Sequence, residues 1–239
     1  MMDGPPHRSR RLFKVLGVVS ALALSVGLAA LYHWRLLTTF PPDRATIVAG
    51  DFWEVHLPFH EVTALAWRRG GPPLWASQIN AGHPALADSQ FGAFYPPNIL
   101  TGFALDAHGY SADTLIRQSI VHVAVGFMGA FLLFLHLARD RRDALAGVQG
   151  SARDRRGAAA GPTGSASVQT EEPPPLPSVD STALFAAFIG AVCYSFSGYA
   201  TSFPLQNPVI LEVMAWLPWL LLGVDLSLIH ISEPTRQAE

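Results

Sequence analysis

The sequence predicts an all-α polytopic membrane protein, with about four transmembrane helices and a large extracytoplasmic loop that contains short helices. Half of the 239 residues are hydrophobic and only 14% are charged, a composition unusual for a soluble domain. The apolar residues form four runs, each near the length that crosses a bilayer core of about 30 Å. The net charge of -2 comes without a broad basic face, which argues against a nucleic-acid partner and favours the lipid bilayer.

The first predicted span covers residues 15–34. Its core, VLGVVSALALSVGLAALY, carries no charge and is about 27 Å long at helical rise. Basic residues within positions 1–14 precede it and Tyr32 and Trp34 follow it, so the positive-inside rule and the aromatic belt place the N-terminus in the cytoplasm. A cleaved signal peptide is the alternative interpretation, although the run is long for a signal sequence.

The other three predicted spans cover residues 115–137, 181–203 and 209–225. The basic cluster ARDRR after the second span marks a cytoplasmic exit. Residues 138–180 are rich in Ala, Gly, Ser and Pro without an apolar period, which predicts a disordered cytoplasmic loop. Four spans with a cytoplasmic N-terminus leave one large extracytoplasmic loop, residues 35–114.

Residues 226–239 break the pattern, because mixed apolar and polar residues stand where a basic cytoplasmic exit is expected. The segment LSLIHISEPTR looks like the translation of a transposase adapter used in sequencing libraries. We therefore expect this tail to be artefactual and the natural protein to continue past Asp225. An ordinary amphipathic cytoplasmic tail is the alternative.

The outer loop and the last two spans carry a series of short motifs. They are GD at 50–51, LPF at 57–59, GGPPLW at 70–75, AGHP at 81–84, ADSQ at 87–90, FYPPN at 94–98, SFSGY at 195–199 and AWLPWLLL at 215–222. In order and spacing these motifs resemble the bacterial YfhO-like membrane proteins, which look like polyprenyl-phosphate-sugar-dependent glycosyltransferases of the GT-C architecture. The chain departs from that family at Ala81, where Gly is usual, and at Ala76, where Asn is usual.

The resemblance implies a partial GT-C-like fold in a bacterial inner (plasma) membrane and the transfer of a sugar from a polyprenyl-phosphate donor to a cell-envelope acceptor. In that architecture an acidic residue of the first outer loop faces the donor, and Asp51 is the matching position. One carboxylate suffices as the base for an acceptor hydroxyl, acting in line and inverting the anomeric centre. Alternatively, Asp51 with Glu54 or Asp88 holds a divalent cation that neutralises the phosphate.

Asp51, Glu54 and two histidines also have structural interpretations. GDFWE predicts a capping box, with Asp51 as the N-cap and Glu54 at the third helical position; Glu54 fits this role better than that of a ligand, whereas Asp51 could serve both. His56 and His60 are spaced as a metal pair, but Pro58 disturbs that helix, so solvated or interfacial histidines are expected instead.

Five further residues are candidates for substrate binding. His83, Asp88 and Gln90 are predicted to line a polar cleft that contacts acceptor or sugar hydroxyls. Tyr95 is expected first as an interfacial anchor and second as a sugar-stacking surface. Arg117, at the outer end of the second span, suits a donor phosphate, with a snorkelling residue as the alternative.

Glu212 lies near the start of the fourth span, a costly place for a carboxylate, and is expected to face protein or water as a secondary functional candidate. His122 and His136 are expected to pack between helices. Two other functions stay open: a polytopic transporter or flippase-like protein, and a non-catalytic envelope-assembly scaffold. Glycosyl transfer requires the Asp51 carboxylate, whereas transport would depend on Glu212 or Arg117.

Overall fold

The chain is all-α in a computed structural model that describes residues 7–38, 40–44, 50–105, 109–159, 181–202 and 206–237. Within these residues the only β-type pairing is an isolated antiparallel bridge between Ala76 and His83. A π-helical turn, Phe52–His56, and a 3-10 turn, Ser89–Phe91, add to the α-helices. The nine α-helices of the described residues are α1 His7–Tyr32, α2 Trp34–Leu37, α3 Pro41–Arg44, α4 Leu57–Arg68, α5 Pro96–Ala104, α6 Ala112–Ala159, α7 Ser181–Ser195, α8 Gly198–Ser202 and α9 Pro208–Gln237.

Two helices are long and apolar enough to cross a membrane among the residues whose side chains are described. They are the Ala112–Arg142 part of α6 and the Pro208–Leu228 part of α9. Val19–Tyr32 and Ser181–Ser195 are shorter apolar helices. The predicted all-α class is therefore confirmed, together with two candidate membrane spans.

α6 is the central helix and packs against α1, α7 and α9. Its contact with α9 requires small residues, because a Cβ added at Gly126 would lie 3.3 Å from Ala215 Cα and one at Gly129 would lie 2.6 Å from the Trp219 ring. Trp219 Nε1 also donates a 3.0 Å hydrogen bond to the Val125 carbonyl oxygen. α6 and α9 therefore form one closely packed pair.

Two predicted boundaries differ from the structure. α6 continues past residue 137 to Ala159. Residues 138–159 are therefore helical and not disordered as predicted. The physical reason is that this segment is rich in Ala, Arg, Leu and Gln, which are strong helix formers. The rest of that predicted loop, 160–180, lies outside the described residues. The predicted span 181–203 is not one helix, because α7 ends at Ser195 and Ser197 Oγ accepts the Ala200 N–H (3.2 Å) as the N-cap of α8.

We call residues 50–105 the cap. Its irregular segment is held by side chains of α4, since Thr63 Oγ1 donates to the Phe91 carbonyl (2.9 Å) and Trp67 Nε1 donates to the Ala93 carbonyl (2.7 Å). α4 and α5 are in close contact at Gly102, where an added Cβ would lie 2.7 Å from the carbonyl oxygen of Ala64. These bonds satisfy backbone groups that no regular structure pairs, which is what an ordered irregular loop requires.

The cap is anchored on the candidate spans at its start. Phe52 is 1% exposed and lies in one buried cluster with Leu115, Ile116 and Ile120 of α6 and Leu211 of α9. Burial of an aromatic side chain of this size contributes about 2 to 3 kcal/mol. The cap therefore docks on the same ends of α6 and α9 that carry the polar residues described next.

Candidate functional site

Asp51 and Glu54 do not form the predicted capping box. The helix begins one residue earlier, with the Gly50 carbonyl accepting the N–H groups of Trp53 (2.9 Å) and Glu54 (3.0 Å). Asp51 already has helical backbone angles (φ -53, ψ -32), and its side chain makes no capping hydrogen bond. Both carboxylates are exposed, so neither has the structural role that the sequence suggested.

His56 and His60 are buried, at 1% and 2% exposure, so the prediction of solvated or interfacial histidines is wrong. His56 Nδ1 and both ring nitrogens of His60 have no hydrogen-bond partner among the described residues. Burial, together with a smaller effect of neighbouring His56, lowers the pKa of His60 to about 4. Within the described residues no group of three or more His, Cys, Asp or Glu side chains is placed to hold a metal ion.

His83, Asp88 and Gln90 come together on one side of the cap. His83 Nε2 lies 2.9 Å from Asp88 Oδ2, and Asp88 Oδ1 accepts the Gln90 backbone N–H at 2.9 Å. The His83 ring also stacks against Phe59 and Phe91. Since the Gln90 contact uses its backbone, the polar group presented to solvent is an oriented imidazole–carboxylate pair, and its role toward a substrate stays a prediction.

Tyr95 is not a free aromatic anchor, because its hydroxyl is bonded on two sides. Tyr95 Oη lies 2.5 Å from His122 Nε2, and Trp216 Nε1 donates to the same oxygen at 2.6 Å. His122 Nδ1 lies 2.7 Å from the Gln118 carbonyl oxygen. Burial raises the pKa of Tyr95 to about 12; the Trp216 hydrogen bond opposes the rise and the Glu212 carboxylate adds to it.

Gln118 links the cap to both long helices. Its amide nitrogen donates to Asn98 Oδ1 (2.6 Å) and to Glu212 Oε1 (3.1 Å), and its amide oxygen accepts from Thr101 Oγ1 (3.4 Å). Glu212 is 9% exposed and therefore faces protein, as its place in α9 predicted. The contact between His122 and the Gln118 carbonyl joins the hydrogen bonds of Tyr95 to those of Gln118. We call the joined set the cap–span network; its members are Tyr95, Asn98, Gln118, His122, Glu212 and Trp216.

A cleft of about 760 Å³ opens beside the cap–span network and is called the outer cleft. Arg117 lines it, is exposed, and has no ion-pair or hydrogen-bond partner among the described residues. Leu100 and Val121, which are 67% and 58% exposed, give it an apolar side. The remaining lining residues are Pro97, Thr101, Ala104, Leu105, Gly109, Ser111, Asp113, Thr114, Gln118, His122, Val125 and Trp216.

The structure separates the predicted site residues into groups. Arg117 lines the outer cleft, and Tyr95 bonds to two of the residues that line it. The lining includes neither Asp51 and Glu54 nor the His83–Asp88 pair. The candidate catalytic carboxylate and the candidate phosphate-binding guanidinium therefore do not share this cleft.

Sequence reasoning missed the functional potential of Gln118, His122 and Trp216. The available signal was the pair of polar residues Gln118 and His122, four positions apart on one face of an otherwise apolar helix. Trp216 stands in the AWLPWLLL motif, where an indole is ordinarily explained as a membrane-interface anchor. Only the fold shows that its N–H meets a tyrosine of the cap.

Comparisons of this chain with protein-family models, with curated proteins and with solved structures found no match. The family resemblance therefore depends on the sequence motifs alone. The outer cleft and the cap–span network are therefore the features that bear on the function of this chain.

Proposed function

We propose that this chain is part of a membrane glycosyltransferase that takes a sugar from a polyprenyl-phosphate donor and transfers it to an extracytoplasmic acceptor of the cell envelope. The observation that carries the proposal is the outer cleft. It combines a guanidinium that has no ion-pair partner in the part of the chain that the structure describes, the carboxylate of Asp113, several neutral polar groups and an exposed apolar side, next to helices long enough to cross a membrane. A lipid-linked sugar phosphate presents the matching three chemistries.

The position of Arg117 along α6 supports a site at the membrane boundary. Arg117 and Arg139 are separated by about 33 Å at helical rise, slightly more than a hydrocarbon core of about 30 Å. With the basic cluster after residue 138 in the cytoplasm, Arg117 lies at the outer headgroup level. A polyprenyl phosphate in the outer leaflet carries its phosphate at that level.

The size and lining of the outer cleft also suit such a donor. Arg presents a planar fork of N–H donors that matches phosphate oxygens, and no described residue already binds the Arg117 guanidinium. Leu100 and Val121 would contact the first isoprene units. A volume of about 760 Å³ lies in the range of small-molecule sites, about 300 to 1,000 Å³.

The proposal includes Asp51 as the carboxylate that, by the family resemblance, faces the donor. It is exposed and forms no hydrogen bond or ion pair among the described residues, so its charge is available. The same holds for Glu54. The action of Asp51 or Glu54 on the donor stays a prediction, and Asp51→Asn tests it directly for Asp51.

The proposal is tested with the full chain in nanodiscs. First, binding of polyprenyl phosphate is measured for the wild type, for Arg117→Gln and for Arg68→Gln, a matched control at an exposed arginine of α4 outside the cleft. We expect Arg117→Gln to weaken binding about tenfold, the loss of about 1.4 kcal/mol for one charge-assisted contact, and Arg68→Gln to bind as the wild type does.

Second, a polyprenyl-phosphate donor with a radiolabelled sugar is supplied together with cell-envelope material as the acceptor. We expect label to move to the acceptor at a rate that Arg117→Gln lowers. Failure of the wild type to bind polyprenyl phosphate, or equal binding by all three proteins, would refute the proposal.

Transport is the second candidate, favoured by the buried carboxylate of Glu212 in a helix long enough to cross a membrane. Carboxylates in such positions commonly take part in ion or proton movement. In sealed vesicles a transporter would move a labelled lipid-linked sugar or protons across the bilayer, and Glu212→Gln would stop that movement. Sugar transfer without transmembrane movement would decide against transport.

A further inference from the structure

We infer that Tyr95 is the group that takes the proton from the acceptor hydroxyl, and that His122 receives the phenol proton of Tyr95 in the same step. This inference deepens the proposed function and rests on it. It assigns the base to a hydrogen-bonded pair within the cap–span network, in place of the Asp51 carboxylate that the resemblance suggests.

The hydrogen bonds around Tyr95 have a fixed direction. The Gln118 carbonyl can only accept, so His122 Nδ1, 2.7 Å away, carries the hydrogen, and the neutral imidazole has its lone pair at Nε2. Tyr95 Oη, 2.5 Å from that nitrogen, must therefore donate to it. The Trp216 indole can only donate, and it occupies one lone pair of Tyr95 Oη.

This arrangement leaves one lone pair of Tyr95 Oη for a further donor. An acceptor hydroxyl that bonds there would meet an oxygen whose own hydrogen already points at a base. A general base must lie within hydrogen-bond reach of the proton that it takes. Tyr95 Oη would meet this requirement for the acceptor hydroxyl, and His122 Nε2 meets it for the phenol proton of Tyr95. Trp216 holds the phenol in place and polarises it.

The pair also lies where a donor would be bound. His122 and Trp216, the two partners of Tyr95, line the outer cleft together with Arg117. A sugar whose phosphate is bound by Arg117 would thus occupy the same cleft as the proton-accepting pair. Asp51 does not line this cleft, and its side chain makes no capping hydrogen bond within the described residues.

The proposed step conserves atoms and charge. The acceptor oxygen forms a bond to the anomeric carbon while the bond from that carbon to the phosphate oxygen breaks, and its electron pair leaves with polyprenyl phosphate. The hydroxyl proton moves to Tyr95 Oη as the Tyr95 proton moves to His122 Nε2. The imidazolium then gives its proton to water, which restores the starting state.

Neutral transfer through the phenol suits the surroundings of Tyr95. Because its pKa is raised to about 12, a tyrosinate is disfavoured, but a phenol that gains one proton as it loses another never becomes charged. Among the described residues, His60 of α4 interacts electrostatically with His122, and Glu212 of α9 with Tyr95.

The test compares Tyr95→Phe, His122→Gln and the matched control Tyr32→Phe in the full chain, using polyprenyl phosphate for binding and a polyprenyl-phosphate sugar for transfer. We expect Tyr95→Phe and His122→Gln to lower kcat at least 100-fold, the usual contribution of a general base, while the Kd for polyprenyl phosphate changes less than threefold. Tyr32→Phe, at an exposed tyrosine of α1 that does not line the outer cleft, is expected to keep kcat within threefold. An active wild type with Tyr95→Phe within tenfold of its kcat would overturn this inference alone.

Two further measurements separate a catalytic role from a structural one. Nitrogen-15 NMR of labelled histidines should show the Nδ1–H tautomer for the signal that His122→Gln removes, and Nε2–H there would overturn the inference. If Tyr95→Phe does not fold, 3,5-difluorotyrosine at position 95 keeps the shape and acidifies the phenol. We expect it to change kcat several-fold, and an unchanged kcat would contradict the relay. A wild type that neither binds nor consumes the donor would instead refute the proposed function.

Discussion

Trp216 Nε1 donates a 2.6 Å hydrogen bond to Tyr95 Oη across 121 positions of sequence. The bond joins the FYPPN motif of the cap to the AWLPWLLL motif of α9, two motifs whose contact no sequence pattern predicts. Together with the Gln118 contacts it fixes the cap on the ends of the two long helices. The stability of this junction can be tested independently of any activity.

Gln118→Leu should weaken the junction strongly. The substitution removes the donor to both Asn98 and Glu212 and leaves a buried carboxylate without that hydrogen bond. We expect a loss of about 2 to 4 kcal/mol, because two buried oxygen atoms, Asn98 Oδ1 and Glu212 Oε1, would both lose this hydrogen-bond donor. Thermal unfolding in detergent measures it, with Gln90→Leu as the control, since Gln90 is exposed and its contact uses only the backbone. Equal Tm values for the two variants would contradict this account of the network.

Ala81→Gly should stabilise the cap. Asn80 and Ala81 have φ values of 49 and 59, in the left-handed region where a side chain costs about 1 kcal/mol or more. Glycine removes that cost but adds unfolded-state entropy, so we expect a net gain of up to about 1 kcal/mol. Chemical denaturation measures the gain, and the control Ala87→Gly, outside the left-handed region, should not raise stability.

Gly102→Ala should separate α4 from α5. An added Cβ would lie 2.7 Å from the Ala64 carbonyl oxygen and 2.8 Å from Trp67 Cβ, and the backbone atom cannot swing aside. We expect a loss of about 1 to 3 kcal/mol, typical of overpacking. Gly71→Ala is the control, because nothing lies within 4 Å of its added Cβ. Unfolding midpoints and proteolysis of the cap measure the effect, and a Gly102→Ala protein as stable as the control would show that the helices can shift freely.

The helical class and the two long apolar helices followed from hydropathy, because a run of uncharged apolar residues is a one-dimensional signal. The helix ends were less predictable. Ser197 ends the predicted third span by capping α8, and a single Ser in an apolar run is equally compatible with a continuous helix. The role of Asp51 was hard to predict for the same reason. If the helix began just after Asp51, its side chain would be placed to cap the helix. Because the helix begins one residue earlier, the Gly50 carbonyl accepts the first helical N–H groups instead.

The site residues illustrate a different limit. His83 and Asp88 lie five positions apart in one loop, and their pairing could be anticipated from proximity in sequence. The contact of Tyr95 with Trp216 depends on how α5 docks on α9, which no local pattern encodes. Burial of His60 is likewise a product of tertiary packing, and Pro58 misled the prediction because Pro is well tolerated in the first turn of α4.

Stability should fall in acid because of His60. Its pKa is lowered to about 4 by burial, whereas the unfolded chain has the ordinary value near 6.5, so the unfolded state binds more protons between these two pH values. The contribution of the neutral imidazole is therefore fully present above about pH 6.5 and is lost as the pH falls toward about 4, a change on the order of 3 kcal/mol. His60→Leu removes the titrating group, and with it two buried ring nitrogens that have no hydrogen-bond partner within the described part of the chain. The stability of this variant should therefore depend less on pH. Phe59→Leu, at the neighbouring buried position, should instead lower stability equally at every pH. Unfolding curves for the three proteins between pH 4 and pH 8 measure this, and a wild-type slope retained in His60→Leu would assign the acid sensitivity to another group.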